Sequence, residues 1–187
     1  MKKSAWIAVA VGLALILSAP AVLAQEGGGK KDKKRSKIDA RSGEILDKIL
    51  AESANAKELY DKAIGYAVFD NTKVALGISG GGGSGVAVDK ATSKRTYMKM
   101  GTAGVGFGIG AKSYQVIMLF ENEKVFQNFV DKGWQGDAQA GAAAGTKGAA
   151  VKTTFHNGMA VFVNTKKGLM ASADVSGTKY WKSDLND

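Results

Sequence analysis

The 187-residue chain contains no cysteine. That absence excludes disulfides, thiolate metal sites, iron–sulfur ligation, a cysteine nucleophile and the lipobox cysteine of an acylated lipoprotein. A single histidine argues against a transition-metal site, and no EF-hand spacing is present. Proline occurs once against 25 glycines, and the glycines follow no Gly-X-Y period, so collagen is excluded while glycine-rich strands and turns remain. Acid is scarce as well: 17 Asp and Glu stand against 26 Lys and Arg, a net charge of +9. Because 45% of the residues are hydrophobic, a packed core is within reach and a wholly disordered chain is excluded. The length suits one domain with extensions and rules out a second large catalytic domain.

The first 24 residues read as an address. Lys2 and Lys3 precede an unbroken run of apolar or small residues from 5 to 17, which Ser18-Ala19-Pro20 interrupts before Val22-Leu23-Ala24. That order is a secretory signal peptide, with cleavage expected before Gln25; an uncleaved anchor is the alternative. Both routes take the protein out of the cytoplasm, and the expected location is the periplasm, peripheral on an envelope membrane. Residues 25–37 then carry Lys30, Lys31, Lys33, Lys34, Arg35 and Lys37 against Glu26 and Asp32, behind three consecutive glycines. With almost no apolar residue, this run reads as a disordered basic tail. Its natural partner is a dense negative surface: anionic lipid, acidic polymer or nucleic acid, the last made the poorest by export. A solvated linker is the plain alternative.

From residue 38 the pattern is helical. Ile45, Leu46, Ile49, Leu50, Leu59, Tyr60 and Ala63 recur at three- and four-residue steps, which predicts an amphipathic helix broken near Asn55. Strand periodicity follows at 66–69, 74–78 and 85–88, spaced as an antiparallel meander, and 114–120 reads as a central buried strand. Asn122 is placed to cap a helix with Val125, Phe126, Phe129 and Val130 on its apolar face, ending near Lys132-Gly133. Residues 136–150, rich in Ala and Gly, are read as close-packed strands. Further strands are predicted at 151–155, 159–163 and 169–175, with turns at Asn157-Gly158 and near Lys166-Lys167-Gly168. The fold class expected is α+β: a curved, mostly antiparallel, half-barrel-like sheet packed with about two helices, forming one domain over 38–187.

Glycine occupies every second position from Gly104 through Gly106 and Gly108 to Gly110, so a strand there has one apolar face and one face of bare backbone. Close packing is the expected use of that bare face. Glycine richness also creates accidental motifs. Gly80, Gly82 and Gly85 satisfy G-x-G-x-x-G, yet a strand rather than a helix follows, which rejects a dinucleotide site. Ser79 sits in G-x-S-x-G with His156 downstream, and Asp89, Asp131 and Asp137 lie between them, but no elbow helix follows Ser79. Gly110-Ala111-Lys112-Ser113 lacks the Gly-Lys pair of a P-loop. No residue constellation implies a reaction, so no catalytic residue, metal or cofactor is assigned.

Three segments together resemble the SYLF-domain family, found in bacterial exported proteins and eukaryotic actin-patch regulators. They are residues 63–69; residues 101–113 with 116–120 and Asn122-Glu123; and residues 167–171 with Ser176-Gly177. The middle segment is the most specific, and its Gly101, Gly104, Gly106, Gly108, Gly110, Lys112 and Ser113 form the family's signature strand. The resemblance implies a non-enzymatic domain that binds anionic phospholipids, phosphoinositides among them, often through a basic N-terminal segment. Here that segment is Lys30 to Lys37. Relatives that bundle actin imply no such role for an exported chain without a Src-homology-3 domain, and phosphatidylglycerol, cardiolipin or lipopolysaccharide become the available anions. Many relatives carry proline where this chain has Asp70. The alternative reading is an envelope interaction protein that oligomerises or binds a protein or an acidic polymer.

Overall fold

The computed structural model describes residues 25–136, 152–165, 168–171 and 177–187. The expected signal segment and most of the Ala/Gly-rich stretch lie outside the described residues. Helix α1 runs Gln25–Glu52 and α2 runs Ala54–Lys62. The break between them falls at Ser53, whose buried hydroxyl accepts from the Ala56 amide at 3.1 Å and so caps α2. Two long strands follow, β1 at Gly65–Asp89 and β2 at Arg95–Phe120. Then come α3 at Glu123–Lys132, β3 at Trp134–Gly136, β4 at Met159–Thr165, β5 at Gly168–Ala171 and β6 at Thr178–Lys182, closed by a 3-10 turn at Asp184–Asn186. Among the described residues the six strands form one antiparallel sheet in the order β3-β6-β2-β4-β5, with β1 pairing β2. The α+β class is as the sequence indicates.

The details depart from the expected meander. The segments read as three short strands are one 25-residue strand, because the glycines between them continue the extended backbone instead of turning it. β1 and β2 pair from Gly65↔Phe120 to Val88↔Arg95 as a single long hairpin, and its register shifts where Leu76↔Ile109 gives way to Gly77↔Gly106. The extra β2 residues fall inside the alternating glycine block, which carries the irregularity of a bulge. Past that point the hairpin folds back on itself. A Cβ at Gly81, Gly83 or Gly85 would collide with the carbonyl oxygens of Thr72, Asp70 and Val68 respectively, and at Gly83 and Gly85 also with the Asn71 and Phe69 side chains, so the second half of β1 crosses closely over the first. This crossing gives the sheet its half-barrel curvature.

Two layers cover the sheet. On one side Ile45, Leu46 and Ile49 of α1 and Leu59 of α2 pack over Val68, Ile117, Leu119 and Phe162. On the other, Phe126, Phe129 and Val130 of α3 pack against Phe69, Met118, Phe120 and Tyr180, with the Phe69 and Tyr180 ring centroids 4.7 Å apart. β2 supplies both layers, and its residues Val116, Ile117, Met118, Leu119 and Phe120 are all fully buried, as the apolar run predicts. Asn122 caps α3 by accepting from the Val125 amide at 3.1 Å. The Asn157-Gly158 turn has positive φ at both residues, 53° and 79°, the geometry of a tight hairpin turn.

Two expectations need correction. Residues 25–37 are not a disordered tail: they are the first turns of α1, which crosses residue 38 without a break. Once Ile45, Leu46 and Ile49 fix the C-terminal turns against the sheet, each further residue adds one helical hydrogen bond at little cost, and lysine and arginine are good helix formers. Residues 152–155 form no strand, since the Thr153 amide bonds the Asn55 side chain at 2.8 Å rather than a neighbouring strand.

Candidate basic groove

The helical course of residues 25–37 changes what their charges mean. At 100° per residue, Lys30, Lys33, Lys34, Lys37 and Arg41 stand at i, i+3, i+4, i+7 and i+11 and share one face of α1. The stripe is about 16 Å long at 1.5 Å per residue. Lys31 and Arg35 point elsewhere. Arg35 donates from Nε to the Leu185 carbonyl at 2.7 Å and from Nη2 to the Asp187 carbonyl at 3.2 Å, and its guanidinium lies 5.9 Å from the centre of the Tyr97 ring. Lys31 Nζ reaches the Asp187 carbonyl at 3.3 Å. The six predicted lipid-binding cations therefore divide. Two hold the 3-10 turn against α1, and Lys30, Lys33, Lys34 and Lys37 make no ion pair among the described residues.

Part of the stripe lines a groove of about 430 Å³ between α1, the β1–β2 hairpin and the 3-10 turn. Lys34, Lys37, Arg41 and Lys99 bring positive charge to it, and Asp70 and Asp184 negative charge. Both acids are already matched. Arg41 Nε donates to Asp70 at 2.9 Å and its Nη1 donates to Glu44 at 3.0 Å; these bonds, the Asp70 one foremost, raise the guanidinium pKa. Lys99 pairs with Asp184 at 2.5 Å, and that hydrogen bond chiefly draws the Asp184 carboxyl down to about 2. With the acids neutralised, Lys34 and Lys37 carry the uncompensated charge of the groove. Ile38 and Leu185 give it an apolar side, and Ser42, Ser84 and Ser183 supply hydroxyls. Such a mixture can accept a phosphate with some attached hydrocarbon or glycerol.

The remaining predicted residues lie apart from the groove. Gly101, Gly104, Gly106, Gly108 and Gly110 follow one another along β2, where Gly110 takes φ 138° beside the register shift. Lys112 and Ser113 face Lys73 and Thr72 across the hairpin and do not line the groove. Ser79 is buried within β1, paired with Gly104, and no helix follows it, so the nucleophile-elbow geometry is absent. His156 belongs to the bridge with Met159 at the Asn157-Gly158 turn. Among the described residues no cluster of His, Asp or Glu is suited to a metal ion, and no helix is long and apolar enough to cross a membrane. Arg41 and Lys99 were missed from sequence. Arg41 continues the lysine spacing once the helix is extended backwards, whereas Lys99 reaches the groove only through hairpin pairing with Ser84.

Residues 101–186 match the family model described as Ysc84, Las17-binding protein actin regulator. The chain carries a SYLF domain. The match opens at Gly101, so the signature strand lies at its start, on β2. "Beta cell expansion factor A" of Aeromonas veronii, a curated relative, is 42% identical over 147 residues, which cover 79% of this chain and 56% of the relative. The chain spans just over half the length of that relative. The family model is described for a Las17-binding actin regulator, and the relative is named for beta cell expansion.

Proposed function

We propose that this SYLF domain binds anionic phospholipid membranes peripherally and without catalysis, through the basic face of α1 and the groove beside it. The observation that carries the reading is the alignment of Lys30, Lys33, Lys34 and Lys37 on one helix face with no acidic partner among the described residues. A cation near an anionic surface contributes about 1 kcal/mol, so four aligned lysines supply a few kcal/mol, enough for reversible docking. The groove then takes a headgroup phosphate between Lys34 and Lys37. In the same proposal, residues 1–24 export the chain, and the surface met is the anionic lipid of an envelope membrane. N-terminal sequencing of the envelope fraction is expected to begin at Gln25.

The test is flotation of the protein with phosphatidylcholine vesicles, with and without phosphatidylglycerol, across a salt series. Binding is expected only with the anionic lipid and is released near about 0.5 M salt, where the Debye length is a few ångströms. Lys33→Gln/Lys34→Gln/Lys37→Gln should abolish most of it. Equal binding to neutral vesicles, or indifference to the triple substitution, would refute the electrostatic reading. The family description names a protein partner, and this favours a second reading in which the same basic face meets an acidic protein. Saltable capture of such a partner, with no flotation, would select that reading.

A further inference from the structure

Beside the basic groove, the sheet presents an aromatic platform. Trp181 is one of two large apolar side chains exposed among the described residues, at 40%. It is not a loose surface residue. β6 alternates, with Thr178 and Tyr180 buried and Lys179 and Trp181 exposed, so the indole stands on the face opposite the aromatic core. Its ring lies along the bare backbone of Gly101: a Cβ there would be 3.1 Å from Cη2 and 3.3 Å from Cζ3. Glycine at 101 thus leaves the space that the edge of the indole occupies. Across the strands Trp181 faces Lys99, and Lys179 faces Gly101, which places a lysine on each of the two rungs that flank the Met100–Tyr180 rung. Lys99 also lines the groove that holds Lys34 and Lys37, so platform and groove are continuous.

A rigid indole flanked by lysines and adjoining a basic groove fits the polar–apolar boundary of a bilayer. Tryptophan is favoured there because its ring is apolar while its N–H still finds a partner, and lysines keep their ammonium groups among the headgroups while their stems lie in apolar surroundings. We infer that Trp181 is the interfacial anchor of this domain, entering the headgroup boundary of an anionic membrane while α1 and the groove hold its charge. The inference rests on the proposed membrane reading and adds the apolar half of the contact. Lysines alone give attraction that salt removes; a seated indole gives a component that salt does not.

The experiment uses the full chain with Trp6→Phe and Trp134→Phe, leaving Trp181 as the single indole, and vesicles of phosphatidylglycerol in phosphatidylcholine with brominated acyl chains. Emission from Trp181 is expected to shift to the blue on binding and to be quenched more by shallow bromines than by deep ones. In the otherwise natural chain Trp181→Ala should lower vesicle partitioning about tenfold and Trp181→Phe should restore part of it, with circular dichroism unchanged. Because Trp134 packs on Tyr180, fluorotryptophan incorporated into the natural chain provides the same readout by fluorine NMR if the Phe variant misfolds. Flotation without quenching or broadening at Trp181 overturns the anchor and leaves the electrostatic reading standing. Absence of flotation overturns both.

Discussion

The two halves of α1 share one backbone and have opposite tasks. In the C-terminal half Ile45, Leu46 and Ile49 are buried against β1 and β2, and Ile49 is completely enclosed. In the N-terminal half Ile38 is the apolar contact, joined by the polar clasp of Arg35 on Leu185 and Asp187, while four lysines stand on an exposed face. One half is fixed by what it buries. The other is fixed mainly by continuation of the helix, so its outward charges can be spent on a partner with little cost to the fold.

The comparison breaks first if the buried half proves dispensable. Ile49→Ala removes a fully enclosed side chain beneath α1 and is expected to destabilise the domain by about 2 to 5 kcal/mol, read from urea unfolding. The triple glutamine variant of Lys33, Lys34 and Lys37 should leave the same unfolding curve within about 0.5 kcal/mol, as exposed substitutions ordinarily do. A large loss of stability in the lysine variant would mean that the basic half is structural after all.

Between those extremes lies Arg35. Its bond to the Leu185 carbonyl at 2.7 Å is partly buried and charge-assisted, and it ties the start of α1 to the 3-10 turn. Arg35→Ala should cost about 1 to 2 kcal/mol and speed hydrogen exchange at both the first turns of α1 and the Asp184–Asn186 turn. Exchange that quickens in the helix alone would show that the clasp does not couple them.

Which parts of this were readable beforehand follows from the range of the interactions. The Asn122 cap, the Asn157-Gly158 turn and the buried run ending at Phe120 depend on neighbours a few residues away, and the sequence pattern exposes such neighbours directly. The extended course of β1 through its glycines does not, because only the crossing of its second half over Val68, Asp70 and Thr72 gives those glycines a reason to remain in a strand. The helix at residues 25–37 was hidden for a similar reason: its stability is borrowed from Ile45 and Ile49 downstream and from the Arg35 clasp some 150 positions away in sequence. The six cations of the site were legible as a charge run. Their division into four outward and two inward needed the helix, and the contribution of Lys99 needed the hairpin.

The smallest effect sharpens the comparison on the groove side, at the Lys99–Asp184 pair. Lys99 depresses the Asp184 carboxyl to about 2 from an ordinary value of 3.8. A depressed carboxylate contributes its stabilisation above the unfolded pKa and loses it as the pH falls through the folded one, so the pair is intact at pH 5 and fades between about 4 and 2. Asp184→Asn should therefore melt slightly below the natural protein at pH 5, and the two melting curves should converge toward pH 2. The difference will be small because the carboxylate is exposed and solvent screens it. The same substitution frees Lys99 as a third uncompensated cation in the groove, which should raise binding to phosphatidylglycerol vesicles at neutral pH even as stability drops. A gain in binding coupled to a loss of stability would mark the groove as a place where fold and function draw on the same charge. Parallel losses in both would mean that Asp184 acts on the membrane contact only by holding the 3-10 turn in place.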